Sequence, residues 1–233
     1  MRPLDSSSGE NTHNTTEGKV STQTSSHDPP ALRRKRPALA EELVEAAAEL
    51  FDRKGFANTS VQDVAESAGV TKGGFYHHFR SKDDLLFEIH DRFIDWQLQG
   101  AAAIVAQGLP PAQTVQALVE ELMVAVDLYR SWIGTFIRER RYITGHHRFD
   151  EVKQKRDALS DTLIKVIEDG IKSGEFRELS DSEVKVLAFG IIGMTAWAVE
   201  WYARRDGMSA VEIGQTYART LLSGLKRPDA STG

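Results

Sequence analysis

Apolar residues recur every three or four positions along most of the chain, the spacing that aligns them on one face of an α-helix. The segment PALAEELVEAAAELFDRKG (37–55) has this spacing and ends in a glycine, a common helix stop. Strict apolar–polar alternation, which marks a half-buried strand, is not found in the sequence. The pattern therefore predicts an all-α protein of about nine helices.

Capping and breaking residues predict where the later helices begin and end. The segment TSVQ (59–62) has the Thr-x-x-Gln form of a capping box, so a short helix is expected to start there and to end at Gly69. Thr71 is placed to cap a second short helix, and SKDD (81–84) to start a long helix that ends near Gly108. Further helices are predicted at 112–129, 131–143, 148–173, 180–204 and 209–225.

The composition excludes several classes of function. The 233-residue chain contains no cysteine, which rules out disulfides, thiol nucleophiles and thiolate-bound metals. Adjacent histidines at 77–78 and 146–147 point about 100° apart on a helix and chelate a metal poorly. No nucleophile motif, phosphate loop or zinc signature is present, so we expect neither an enzyme nor a bound cofactor or metal. The net charge of −5 requires any nucleic-acid contact to come from a local patch.

The ends of the chain differ from its middle. Residues 1–36 begin with a Ser-, Thr- and Asn-rich stretch without aromatic residues and end in the basic arm RRKR (33–36), so we predict a disordered tail. A second tail is predicted at 228–233. The polar start has no signal peptide, and the longest apolar run (186–199) has 14 residues, below the ~18 that span a bilayer. We therefore expect a cytoplasmic protein without a membrane partner.

Two short helices separated by a glycine-containing turn, within SVQDVAESAGVTKGGFYHHF (60–79), are typical of a helix-turn-helix. The second helix of this motif presents its first turns to the major groove of DNA. Lys72 can reach phosphate or a guanine edge, and the neighbouring glycines let the backbone approach closely. The residues predicted to contact DNA are Arg33, Arg34, Lys35, Arg36, Thr59, Ser60, Thr71, Lys72, Gly73, Gly74, Tyr76, His77 and Lys82.

The stretch LFDRKGFANTSVQDVAESAGVTKGGFYHHFRSKDDLL (50–86) resembles the DNA-binding domain of the TetR family of bacterial transcription regulators. The family pattern is met at Phe51, Gly55, Phe56, Thr59, Ser60, Val61, Asp63, Val64, Ala65, Ala68, Gly69, Val70, Thr71, Gly73, Phe75, Tyr76, His78, Phe79, Ser81, Lys82 and Leu85. The resemblance implies a helix-turn-helix domain at 37–83. It also implies a ligand-binding and dimerisation domain at 84–227.

The resemblance also implies a homodimer, because members of the family commonly pair their last two helices as a four-helix bundle. The first of these helices is apolar around nearly its whole circumference, which is expected of a helix buried on two sides. A monomer core is the alternative explanation. The predicted interface residues are Phe189, Ile192, Gly193, Ala196, Trp197, Trp201, Tyr217 and Leu221.

Aromatic and flexible side chains between residues 93 and 142 can line an apolar cavity, although core packing explains most of them equally well. A basic cluster, RERRYITGHHRFDEVKQKR (138–156), suits a phosphate-bearing amphiphile. The C-terminal half resembles the branch of the family that represses fatty-acid, phenylacetate or steroid catabolism and releases DNA on binding a CoA thioester. The predicted effector-binding residues are Phe93, Trp96, Met123, Trp132, Phe136, Arg141, Arg148, Phe149 and Arg156.

The sequence thus predicts a homodimeric repressor that a small hydrophobic effector, such as an acyl- or aryl-CoA thioester, releases from a palindromic operator. Two alternatives stay open. One is a constitutive DNA-binding protein without an effector, which a filled core would favour. The other is a repressor of an efflux system that responds to a hydrophobic drug.

Overall fold

A computed structural model of the protein describes residues 38–146, 148–202 and 207–226. The predicted tails and the basic arm lie outside these residues. The described chain contains no strand and only one isolated bridge, between Phe176 and Lys226, so the all-α prediction is confirmed. Its nine helices are α1 (Ala38–Lys54), α2 (Val61–Ser67), α3 (Lys72–His78), α4 (Lys82–Val105), α5 (Pro111–Leu128), α6 (Arg130–Thr144), α7 (Phe149–Lys172), α8 (Asp181–Trp201) and α9 (Ala210–Leu225).

The start of α2 differs by one residue from the predicted capping box. Its N-cap is Ser60, whose hydroxyl accepts a hydrogen bond of 3.0 Å from the backbone N–H of Asp63. The Asp63 carboxylate in turn accepts from the hydroxyl and from the backbone N–H of Ser60, and these two bonds lower its pKa to about 2. The hydroxyl of Thr59 points inward and donates to the carbonyl of Gly55 at 2.8 Å. The box predicted at Thr59 and Gln62 is therefore wrong.

Helices α1 to α3 and the start of α4 share one hydrophobic core. The aromatic rings of Phe51 and Phe75 and the side chain of Leu86 are fully buried in it. The turn between α2 and α3 needs Gly69, whose φ of +67° is a backbone conformation that side chains with a Cβ rarely adopt. Trp132 of α6 is buried in the same cluster, so the helix-turn-helix packs directly on the C-terminal helices.

The remaining helices form a bundle around α5, which packs along α9 and also contacts α7 and α8. Helices α5 and α9 approach so closely that a Cβ at Gly214 would lie 2.8 Å from the Cα of Glu120. Apolar residues of α5, α7, α8 and α9 make up the second core. The described residues all fall in one compact unit, and the boundary predicted between residues 83 and 84 lies inside it, near the start of α4.

Helix α8 is longer than the apolar run that predicted it. By length and composition alone the whole helix of 21 residues is able to cross a membrane, a test that core helices of non-membrane proteins also pass. Its Val184, Ala188 and Ile191 are buried against α5 and α7, as in a helix of a soluble bundle. Its opposite face is apolar but exposed.

Candidate functional site

Helix α3 is held by a cap at its start and a ring at its centre. The hydroxyl of Thr71 accepts a hydrogen bond of 3.1 Å from the backbone N–H of Gly74, and this cap fixes the first turn. Phe75 is fully buried and packs against the ring of Phe79 at 6.0 Å. Because Phe75 fixes the inner face, the residues on the other side of this short helix face solvent.

The outer side of α3 carries the side chains that were predicted to contact DNA. Lys72, Tyr76 and His77 are exposed, and Tyr76 keeps 50% of its surface accessible. The ammonium of Lys72 lies 6.0 Å from the centre of the Tyr76 ring, so a cation and a hydroxyl lie side by side. This pair offers two kinds of donor to a phosphate backbone.

The two glycines of α3 have no intramolecular reason to be glycine. A Cβ at Gly73 would meet no atom nearer than 3.7 Å, and one at Gly74 none nearer than 3.5 Å, both ordinary contact distances. Glycine inside a helix costs about 1 kcal/mol relative to alanine. A binding partner that approaches the backbone of α3 closely accounts for two glycines in one short helix.

Two other predicted DNA contacts have partners inside the protein. Thr59 is buried, and its hydroxyl is bonded to backbone carbonyls, so it is not available to DNA. The ammonium of Lys82 donates to the carbonyl of Phe56 at 2.6 Å and lies 4.3 Å above the Phe56 ring. Ser60 is exposed beside α3, whereas Arg33 to Arg36 lie outside the described residues.

A cavity of about 290 Å³ lies among α4 to α8. Three of the predicted effector-binding residues line it: Phe93, Phe136 and Arg156. Most of the wall is apolar, and its polar members are His90, Gln97, Lys153, Arg156, Asp157, Ser160 and Thr195.

The structure places the other predicted effector residues away from this cavity. Met123, on α5, is buried against α8 and α9. Trp132 lies in the first core, and the ring of Trp96 packs on the ring of Tyr129 at 5.0 Å. Arg141 is exposed near the end of α6. The side chain of Phe149 lies outside the described residues. Core packing, the alternative given by the sequence, describes the three buried side chains.

Arg148 connects α7 to α4 and is not a cavity residue. Its guanidinium donates to Asp91 at 3.0 Å and to Asp84 at 3.4 Å, and it lies 4.9 Å from the centre of the Phe87 ring. Lys155 of α7 adds ion pairs to Asp91 and Asp95. Part of the basic cluster that suggested an anion site is therefore neutralised by carboxylates of α4.

Arg156 lies at the mouth of the cavity. It is exposed as a residue, but its guanidinium lies 4.4 Å from the centre of the Phe136 ring. The partial burial of this group lowers its pKa, and the nearby charge of Arg140 lowers the pKa further. The charge of Asp157 acts in the opposite direction on this pKa, but among the described residues no carboxylate forms an ion pair with Arg156, so this cation remains available to an anionic ligand.

His90 is a wall residue that the sequence analysis missed. Only 1% of its surface is exposed, and burial lowers the pKa of its imidazole to about 3, with a further contribution from the charge of Arg156. The ring is therefore neutral at physiological pH. The sequence feature that identifies it is a histidine among the apolar residues Leu86, Ile89 and Ile94, on the buried side of α4.

One face of α8 is apolar and uncovered. Val186, Phe189 and Trp197 are 71%, 57% and 59% exposed, and helical spacing places them on the same side. A Cβ at Gly190 or Gly193 would meet nothing within 4 Å. Trp201 extends this face, which we call the α8 face (186, 189, 190, 193, 197 and 201).

The other predicted interface residues lie beside the α8 face. Ile192 and Ala196 are half-buried and line the cavity, as does Phe189. Tyr217 and Leu221 of α9 are half-buried against the second core. The α8 face and the cavity thus share Phe189.

Helix α6 ties the cavity to the helix-turn-helix. Ile133 and Phe136 of α6 line the cavity. On the opposite side, the hydroxyl of Thr135 donates to the carbonyl of Ala48, and Arg138 forms an ion pair with Asp52 of α1. Within the described ranges, no group of three or more histidine and carboxylate residues is arranged to hold a metal ion.

The fold and these surfaces define a helix-turn-helix protein with an attached ligand-sized cavity. The family profile for bacterial regulatory proteins of the tetR family matches residues 43–89, and the profile for a tetracyclin repressor-like C-terminal domain matches residues 108–225. The chain belongs to the TetR family and is a DNA-binding transcriptional regulator, not an enzyme.

Curated relatives and solved structures agree with this assignment. The chain is 34% identical to the HTH-type transcriptional repressor KstR2 of Rhodococcus jostii. The match covers 80% of this chain and 91% of that protein. The structure of the ketosteroid transcriptional regulator KstR2 of Mycobacterium tuberculosis superposes with a TM-score of 0.73 at 28% identity, over 81% of this chain and 95% of that one. A complex of AibR with isovaleryl coenzyme A and operator DNA shares the fold, with a TM-score of 0.70 at 22% identity over 79% and 98% of the two chains.

Proposed function

We propose that the protein is a homodimeric repressor, acting in the cytoplasm, that binds a palindromic operator and releases it when an acyl- or aryl-CoA thioester enters the cavity. The observation that carries the proposal is the cavity itself, an apolar space of about 290 Å³ with an unpaired arginine at its mouth. The cavity adjoins α6, which contacts α1 of the helix-turn-helix domain.

The exposed side of α3 supports the first part, binding to DNA. Lys72 and Tyr76 are positioned to contact phosphates or base edges, and the backbone at Gly73 and Gly74 is open to close approach. Dimeric helix-turn-helix proteins read two half-sites about one helical turn apart, roughly 34–36 Å. The repressor assignment is supported by the KstR2 relatives.

The α8 face supports the second part, dimerisation. An exposed apolar surface of this kind is rare on a monomer because it loses the free energy of burial. Gly190 and Gly193 leave room for a partner helix to approach the backbone. In a two-fold symmetric dimer, α8 and α9 of one protomer pack against α8 and α9 of its partner, and this arrangement covers Phe189 and Trp197 in both protomers.

The cavity supports the third part, an effector with an apolar body and an anionic head. Its volume suits an acyl or aryl group but not a whole coenzyme A, whose phosphates would have to remain outside. Arg156 stands where such a head group would emerge. This wall disfavours a cationic drug, because the cation would meet an unpaired guanidinium.

The named relatives support the same class. KstR2 is described as a ketosteroid regulator, and AibR, which shares the fold, is described in complex with isovaleryl coenzyme A and operator DNA. The second description supports a coenzyme A derivative as the ligand and does not bear on operator release. Neither name fixes the effector of this chain. The class proposed here rests on the apolar wall and the arginine.

Fluorescence anisotropy tests the proposal. The purified protein is titrated onto labelled DNA from its own upstream intergenic region, at fixed salt, with and without a panel of acyl- and aryl-CoA thioesters and the matching free acids. Release by a thioester but not by its acid supports the proposal. Tight binding that no thioester disturbs contradicts the effector class and favours a constitutive regulator or a different ligand.

A further inference from the structure

His90 occupies a buried position of α4 at which a histidine destabilises the folded protein. Its Nε2 atom is buried and has no hydrogen-bond partner among the described residues. An unpaired buried polar atom of this kind destabilises the folded protein. Leucine or phenylalanine at the same position would avoid that cost, so packing alone does not account for a histidine.

The surroundings of His90 direct it to the cavity. Its ring packs edge-on against Phe136 at 4.9 Å, and Arg156 lies over the same Phe136 ring at 4.4 Å. All three residues line the cavity. The wall thus combines a buried neutral imidazole and a cation at the mouth, joined by one aromatic ring.

The other polar wall residues of α7 and α8 have partners. The hydroxyl of Ser160 donates to the carbonyl of Arg156 at 3.2 Å, and that of Thr195 donates to the carbonyl of Ile191 at 2.8 Å. Lys153 pairs with Asp157 at 2.6 Å. Among the described residues, Nε2 of His90 is the buried polar atom of this wall without a partner, and a ligand in the cavity is able to supply one.

We propose that His90 selects an oxygenated effector by hydrogen-bonding a carbonyl or hydroxyl oxygen in the buried part of the ligand, while Arg156 binds the anionic end. This inference rests on the proposed function and specifies its ligand class: a keto- or hydroxyacyl compound rather than a plain hydrocarbon chain. A neutral imidazole can donate to either oxygen or accept from a hydroxyl. A plain acyl group leaves Nε2 unpaired and loses that hydrogen bond.

Calorimetric titration of the full chain tests the selection. The probes are decanoyl-CoA, a series of oxodecanoyl-CoA isomers that move one ketone along the chain, the corresponding hydroxydecanoyl-CoA isomers, and the free acids of all three. One isomer is expected to bind about tenfold more tightly than decanoyl-CoA, the ratio of one net hydrogen bond. The position of the ketone in the isomer that binds most tightly measures how deep in the cavity His90 lies. Comparison of the ketone series with the hydroxyl series shows which type of oxygen His90 binds.

Three variants locate the effect. His90→Phe keeps the ring and removes the hydrogen bond, so it should abolish the preference without weakening decanoyl-CoA binding. His90→Gln keeps a hydrogen-bonding group and should retain part of the preference. Thr162→Ala is the matched control, because the hydroxyl it removes also bonds the backbone of α7 but does not line the cavity, and it should leave the preference unchanged.

The outcomes separate this inference from the function on which it rests. If decanoyl-CoA releases DNA but every isomer binds with the same affinity, the His90 inference is overturned and the repressor proposal stands. A preference that survives in His90→Phe also overturns it. If no compound of the series binds, the His90 inference is overturned, and the anisotropy panel of acyl- and aryl-CoA thioesters still decides the repressor proposal. The comparison of ligands on the unaltered protein does not depend on how well the variants fold.

Discussion

The carboxylate of Glu139 accepts a hydrogen bond of 2.9 Å from the backbone N–H of Phe56, a residue 83 positions earlier in the chain. Glu139 lies on α6, one turn after the cavity residue Phe136. Phe56 lies between α1 and α2 and also accepts from Lys82 at the start of α4. A shift of α6 on ligand binding therefore acts on the loop that enters the helix-turn-helix.

Glu139→Ala should weaken the response to the effector more than it weakens DNA binding. The substitution leaves the N–H of Phe56 without its partner and is expected to cost about 1–3 kcal/mol of stability. Anisotropy with a releasing thioester measures the response, and Glu139→Gln, which keeps an acceptor oxygen, is the control. An unchanged response in Glu139→Ala would remove this contact from the route of transmission.

Lys72→Met should weaken binding to operator DNA and should lower the slope of log affinity against log salt by about one, as expected for one lost phosphate contact. Titrations at several salt concentrations measure both. Lys172→Met is a matched control, because Lys172 is on α7 with 70% of its side chain exposed. Equal effects of the two substitutions would argue for general electrostatics and against a contact by α3.

Trp197→Glu should convert the dimer to a monomer. Burial of an unpaired carboxylate at an interface costs about 3 kcal/mol or more, which raises the dissociation constant at least about a hundredfold. Sedimentation analysis measures the mass, and operator affinity should fall with it. Val105→Glu introduces the same charge at an exposed apolar position of α4 and should leave the dimer intact. A Trp197→Glu dimer of unchanged affinity would show that the α8 face is not the interface.

His90 predicts how the stability of the ligand-free protein depends on pH. Its folded pKa of about 3 lies below the 6.5 of a solvent-exposed histidine, so the unfolded chain binds the proton more readily. The stability contribution is complete above pH 6.5 and is lost as the pH falls toward 3. Between pH 7 and pH 5 the loss is about 2 kcal/mol. Urea titrations at the two pH values measure it. His90→Phe should show a fall smaller by that amount, and an equal fall in both proteins would contradict a buried neutral His90.

The sequence predicted the fold because helical periodicity and turn residues are local signals. Hydroxyl caps such as Ser81 and Ser180 and the break at Gly69 are visible without a structure, and the helix-turn-helix is a short, contiguous motif. The one-residue error at Thr59 arose because two adjacent hydroxyls were both able to cap. The choice was made by packing, which turned Thr59 toward the carbonyl of Gly55.

The cavity was only partly predictable because it is built from five helices. Periodicity shows that Trp96, Met123 and Trp132 face inward, but it does not say which interior gap stays empty. Charge patterns have the same limit. Arg148 and Arg156 look alike in the sequence, yet one pairs with carboxylates of α4 and the other lies unpaired over an aromatic ring.

The proposed repressor is controlled by a ligand inside the cavity, and Ser160→Trp tests this control. Ser160 is a buried wall residue of α7, and an indole at that position would occupy much of the 290 Å³. Operator release by the most effective thioester is measured by anisotropy for the unaltered protein and for this variant. We expect the same DNA affinity in both and release only from the unaltered protein. Equal release from both would place the effector elsewhere and contradict the account.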